Sequence, residues 1–177
     1  MLQIGIILLI VVGAFFGLEW AKKRFGWRGY MLFLWLVFVV YVLGNLYFTL
    51  LSRTPGTETK LTLLPFQSYA RMGGAVPAEA EEAAGFAAMF LKGTTPLDGI
   101  ILNILLYVPL GYLLPRLFPK LKAWQVILIG LLCSAATEAT QYLFKMGWCE
   151  MDDVIHNTLG TAIGVWMRRK QLKKHAW

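Results

Sequence analysis

Residues 30–51 read YMLFLWLVFVVYVLGNLYFTLL, without one charged side chain. About 20 apolar residues in a helix cross a hydrocarbon core of about 30 Å, and this stretch meets that requirement. Four more apolar runs follow the same reading, at 2–18, 96–114, 124–144 and 154–167. The sequence therefore predicts an all-α fold, a polytopic transmembrane helix bundle of five spans, forming a single domain over residues 1–177 rather than a soluble one.

Composition agrees. The 177 residues are 58% hydrophobic and only 15% charged, with a mean hydropathy of +0.59, whereas soluble domains carry about 25% charged residues. A net charge of +7 would suit nucleic acid. The basic residues, however, sit in short clusters between apolar runs, which is the membrane orientation signal, and no nucleic-acid-binding motif is present. Cys133 lies in an apolar run and Cys149 in a short loop, so neither a disulfide nor a zinc spacing is read. The run 2–18 has no basic residues before it and no obvious small-x-small cleavage site, and it reads as a retained span.

The loops set the orientation. The first holds Lys22, Lys23, Arg24 and Arg28 against Glu19, the third Arg116, Lys120 and Lys122, and the tail Arg168, Arg169, Lys170, Lys173 and Lys174. These segments are expected inside, with the N-terminus outside. The second loop, 52–95, and the fourth, with Glu150, Asp152 and Asp153 against Lys145, then face outward. In the second loop, Pro55-Gly56 reads as a turn. Residues 78–91 read as an amphipathic helix on the outer leaflet, with Glu79, Glu81 and Glu82 early and Phe86, Met89 and Phe90 as its apolar edge. A disordered Ala/Glu linker is the alternative. Thr95-Pro96-Leu97-Asp98 is a helix start.

Polar groups inside hydrocarbon cost about 2.5–3.5 kcal/mol each, and this chain collects them in one layer. Counted from the basic ends, Asn45, Asn103, Glu138, Asp153, His156 and Asn157 all lie about 17–22 Å up a core about 30 Å thick. The inner half holds almost no strongly polar groups. The last run is short, so the fourth loop should dip into a funnel open to the outside, with Asp152 and Asp153 at its floor. Ser134, Glu138, Gln141 and Lys145 form one helical stripe, and Asp153, Asn157, Gly160 and Gly164 another. Asp152 and His156 sit on the adjacent edge, and Asn103 and Tyr107 share a face. Each has a plainer reading. Asp152 is also an N-cap, Asn45 and Asn103 are also interhelical glue, His156 is also a neutral core histidine, and the glycines are packing positions. Glu138 is hardest to explain away, since a carboxyl at that depth needs a partner or a proton.

Asn103-Ile104-Leu105-Leu106-Tyr107-Val108-Pro109-Leu110-Gly111, then Ser134-xxx-Glu138-xx-Gln141, then Asp152-Asp153-xxx-Asn157-Thr158-Leu159-Gly160 resemble, in order and spacing, the VanZ-like family of bacterial membrane proteins. Leu63-Leu64-Pro65-Phe66 resembles the family's Asn-Leu-x-Pro-Phe, with Thr62 in the Asn place. The resemblance covers roughly residues 53–164. It implies a multi-pass protein of the cell membrane, part of the cell envelope and associated with low-level resistance to teicoplanin, a lipidated glycopeptide. Two departures stand out. The family often has an Arg shortly before the Asp pair, where Trp148 and Cys149 stand here, and the position of His156 is usually aliphatic.

Three functions are compatible with this. In the first, an envelope enzyme takes a lipid-linked or amphipathic substrate, with Glu138, Asp153 and Asp152 as its acid–base carboxylates and Asn103, Gln141, Asn157, His156, Ser134, Asn45 and Tyr107 binding. Glu138, Asp152, Asp153 and His156 could also hold a divalent cation. In the second, the funnel binds a lipidated drug or precursor without chemistry. The third, a small transporter, lacks a visible inverted repeat. No GxSxG, HExxH or P-loop names a reaction or a cofactor. Membrane lipids are the expected partners, with a lipid-linked envelope precursor or lipidated glycopeptide beside them.

Overall fold

The computed structural model describes residues 13, 17, 18, 20–51, 53, 55, 56, 60–66, 69, 96–146 and 148–174. Most of the run 2–18, the amphipathic helix expected at 78–91 and the Thr95 cap lie outside them. The described chain is mainly helical. Helix α1 spans Trp27–Leu46 and continues as a wider π turn over Tyr47–Leu51. A short strand β1, Lys60–Thr62, follows, then α2 over Pro96–Leu117, α3 over Ala123–Leu143, β2 over Trp148–Glu150 and α4 over Met151–Lys174.

Three of these helices are long and apolar enough to cross a membrane: Trp27–Leu51, Leu97–Leu117 and Ala123–Leu143. On α1, Leu32, Leu36, Val40 and Leu43 are all exposed. They recur at helical spacing, so one side of α1 is apolar along its length. Lipid, not water, suits such a face. Helix α4 is the longest but begins on an acidic pair and ends on basic residues.

Glycine brings α4 against α2. A Cβ on Gly160 would collide with the Ile104 carbonyl oxygen, one on Gly164 with the Val108 carbonyl oxygen, and one on Gly111 with the backbone of Thr161. Gly130 of α3 has the Thr161 side chain in the same position. Small residues therefore let α4 wedge between α2 and α3 at backbone contact distance.

Helix α3 starts with a cap in which the Lys122 N–H donates to Gln125 Oε1 at 2.8 Å. It ends at Phe144, and Lys145 adopts φ 55° while the Met146 N–H returns to the Gln141 carbonyl at 2.8 Å. That is a left-handed helix stop. Lys145 is thus exposed beyond the helix, which corrects its expected place on the Ser134–Glu138–Gln141 stripe. The fourth loop does not dangle. β2 pairs in parallel with β1, Lys60 opposite Trp148 and Thr62 opposite Glu150, and the Gly56 N–H donates to the Lys145 carbonyl at 2.7 Å. The two loops are thereby joined through backbone hydrogen bonds.

The apolar core lies toward the basic end, where Leu18, Ala21, Tyr30, Leu34, Tyr112, Leu113 and Leu117 pack together. This end is more polar than the sequence suggests. Helix α2 runs through Pro115 and carries Arg116 into the core, where it is buried rather than in a loop. Its guanidinium donates to the Tyr30 hydroxyl at 3.1 Å, to the Tyr112 hydroxyl, and to Gln171 Oε1 at 2.6 Å.

Candidate functional site

At the other end of the bundle, the stripe of α3 supplies Ser134, Glu138 and Gln141, all buried. Helical spacing puts them on one face, and each finds a partner on a different element. The Asn157 amide of α4 donates to Ser134 Oγ at 2.8 Å. The Glu150 N–H, at the end of β2, donates to Glu138 Oε2 at 3.0 Å. The Gln141 amide donates to the Thr49 carbonyl at 2.8 Å. That carbonyl belongs to the π turn, where the regular ladder ends and carbonyls need outside donors.

Asp153, in the first turn of α4, accepts from the Asn103 amide of α2 at 2.6 Å. Asp153 and Glu138 lie near enough to feel each other's charge, as they do Glu150 and the Arg53 guanidinium. Three helices and the loops carrying Arg53 and Glu150 therefore contribute to one electrostatic neighbourhood around these two carboxylates. Tyr107, one turn along from Asn103, is buried with its hydroxyl against Thr137 and Ser134.

Asp152 is not the N-cap, because α4 already begins at Met151. Its carboxylate instead accepts the Phe66 N–H at 2.5 Å, which ties the loop after β1 to α4. His156 is buried, and its Nε2 pairs with the Tyr69 hydroxyl at 3.0 Å. Asn45 stands apart. Its amide reaches the Tyr41 hydroxyl at 3.4 Å, and that hydroxyl donates to the Leu106 carbonyl at 3.0 Å. In the described contacts it braces α1 against α2 and does not meet the carboxylates.

Sequence reading missed four participants. Arg53 donates to the Met146 carbonyl at 3.3 Å, beside the end of α3. It supplies a cation to the carboxylate group. Glu150, Tyr69 and the Phe66 backbone complete the set. Glu150 was visible only as loop charge. Nothing in helical periodicity signals Arg53 or Tyr69, since loop pairing brings them in.

The group can hold polar ligand atoms and exchange protons. Gln141 Oε1, His156 Nδ1 and Asn157 Oδ1 are buried without a hydrogen-bond partner among the described residues. No three His, Cys, Asp or Glu side chains among the described residues converge as a metal ion would require. Burial, and then the nearby Glu138 and Asp153 carboxylates, push the Cys149 thiol up, so it is a poor nucleophile at neutral pH.

A family model described as VanZ/LLP1 matches residues 28–170. No curated protein and no solved structure matches the chain.

Proposed function

This chain belongs to the VanZ/LLP1 family, and from that premise we propose that it is a multi-pass protein of the cell membrane whose polar site binds or processes a lipid-linked envelope substrate or a lipidated glycopeptide such as teicoplanin. The observation that supports this most is the shared electrostatic neighbourhood of Glu138 and Asp153. The two carboxylates come from different helices and are anchored by Glu150 N–H and Asn103. Apolar helices do not need such a group for packing, and hydrocarbon penalises it. Five spans, with the N-terminus and the Glu138–Asp153 end outside, complete the proposal. The site then opens to the side where envelope precursors and glycopeptides are met.

Susceptibility to teicoplanin and to its delipidated counterpart tests this, in cells producing wild-type protein or Glu138→Gln at equal level. Wild type should protect more against the lipidated drug, and Glu138→Gln should not protect. Equal protection by both would remove the carboxylate from the function. Mass spectrometry of lipids carried through purification separates the two modes. Unchanged bound lipid supports a binding protein, and a shortened or transferred headgroup supports an enzyme.

A further inference from the structure

We propose that residues 61–66 and Tyr69 form a lateral portal, on which the acyl chain of an outer-leaflet lipid lies while its headgroup enters the polar site. This rests on the outward-facing reading of that site. Leu63, Leu64 and Phe66 are 61%, 67% and 61% exposed, although they follow one another closely in a loop. Large apolar side chains massed at a surface mark an interaction site. Leu51, at the end of the apolar run of α1 that precedes this loop in the chain, is itself 74% exposed.

The segment is held, not loose. Thr62 pairs with Glu150, the Phe66 N–H donates to Asp152 at 2.5 Å, and the Tyr69 hydroxyl meets His156 Nε2 at 3.0 Å. Phe66 has φ 68°, a left-handed backbone that side chains other than Gly, Asn and Asp rarely take. That conformation turns its N–H inward to Asp152 and leaves its ring outside. The ring then begins an aromatic file. Phe66 and Tyr69 have centroids 6.0 Å apart, and Tyr69 and His156 5.7 Å. The file ends at a buried imidazole whose Nδ1 has no partner among the described residues. Apolar surface, aromatic hydroxyl and buried polar group thus follow one another from contact to contact. An acyl chain attached to a hydrogen-bonding headgroup has the same order of chemistry. A water-soluble ligand would have no use for the first part.

The experiment places p-benzoylphenylalanine at Leu64, at Phe66 or, as a control, at Leu36 on the lipid-facing side of α1. The full chain is irradiated in vesicles of phosphatidylethanolamine and phosphatidylglycerol, and lipid adducts are weighed. Adducts are expected at all three positions. Tyr69→Phe should lower those at 64 and 66 by about 2- to 10-fold, the worth of one hydrogen bond, and leave position 36 unchanged. Position 36 also reports that each variant is folded and inserted. No lipid adduct at 64 and 66 would overturn the portal, and so would adducts indifferent to Tyr69→Phe, which describe bulk lipid only. Either result leaves the Glu138 test of the site itself standing.

Discussion

Glu138 and Asp153 come from different helices into one electrostatic neighbourhood, and each already accepts one hydrogen bond from the protein. Groups sharing one electrostatic neighbourhood do not respond to mutation independently. Glu138→Gln and Asp153→Asn should each abolish drug protection without loss of expression, and the double variant should be no worse. Additive partial losses would separate the two residues. Gln141 poses a different question, because its amide satisfies the Thr49 carbonyl. Gln141→Leu leaves that carbonyl unpaired in a buried place and should cost about 1–3 kcal/mol, read as a lower melting temperature in detergent. Most of these side chains were legible from helical period alone. Ser134, Glu138 and Gln141 repeat along α3, and Asp153 and Asn157 along α4. Asp152 was legible as a residue but not in its role. Its partner, Phe66 N–H, lies 86 positions away, and no local pattern encodes that pairing.

The same division holds for elements. Glycines spaced by four in α4 signal close packing in any membrane helix, and the structure supplies the surfaces they meet, the Ile104 and Val108 carbonyls of α2. Gly160→Leu should force α4 outward and unfold the protein at lower temperature, since overpacking costs about 1–3 kcal/mol or more. Gly44 and Gly99 serve as controls, having nothing within 4 Å of an added Cβ. Gly44→Ala and Gly99→Ala should be neutral or stabilising by up to about 1 kcal/mol. Equal losses at Gly160 and Gly99 would mean that α4 does not depend on this contact. Elements made by pairing were not legible. β1 and β2 are three residues each, too short for an alternating pattern, and their parallel register arises from loops far apart in the chain. The stop of α3 at Lys145 was missed for a related reason. A lysine in the left-handed region carries no sequence mark of the kind glycine gives.

At the scale of the whole molecule, charge divides the chain into two ends. Glu138, Glu150, Asp152, Asp153 and Arg53 gather where the loops carrying β1 and β2 meet. Arg116, Arg168 and the basic tail lie at the opposite end of α2 and α4. The sequence made this division visible through its loops, and it made the apolar runs visible through their length. It hid the burial of Arg116, because a basic residue after an apolar run looks like an interfacial anchor whether or not the helix continues past it. The division makes a prediction about sidedness. Basic loops are retained inside, while acidic residues contribute little to orientation, so the turn around Lys120 and Lys122 should stay inside and the β1–β2 end should be outside. In a background with Cys133→Ala and Cys149→Ala, Gly56→Cys and Lys120→Cys place single thiols at exposed positions of the two ends. A membrane-impermeant maleimide added to intact cells should label position 56 at once and position 120 only after permeabilisation. The reverse order would invert the molecule and put the carboxylate site inside. A site on that side could not meet a glycopeptide before it crossed the membrane. The proposed function would then fall together with the topology, whereas labelling at 56 alone leaves both in place.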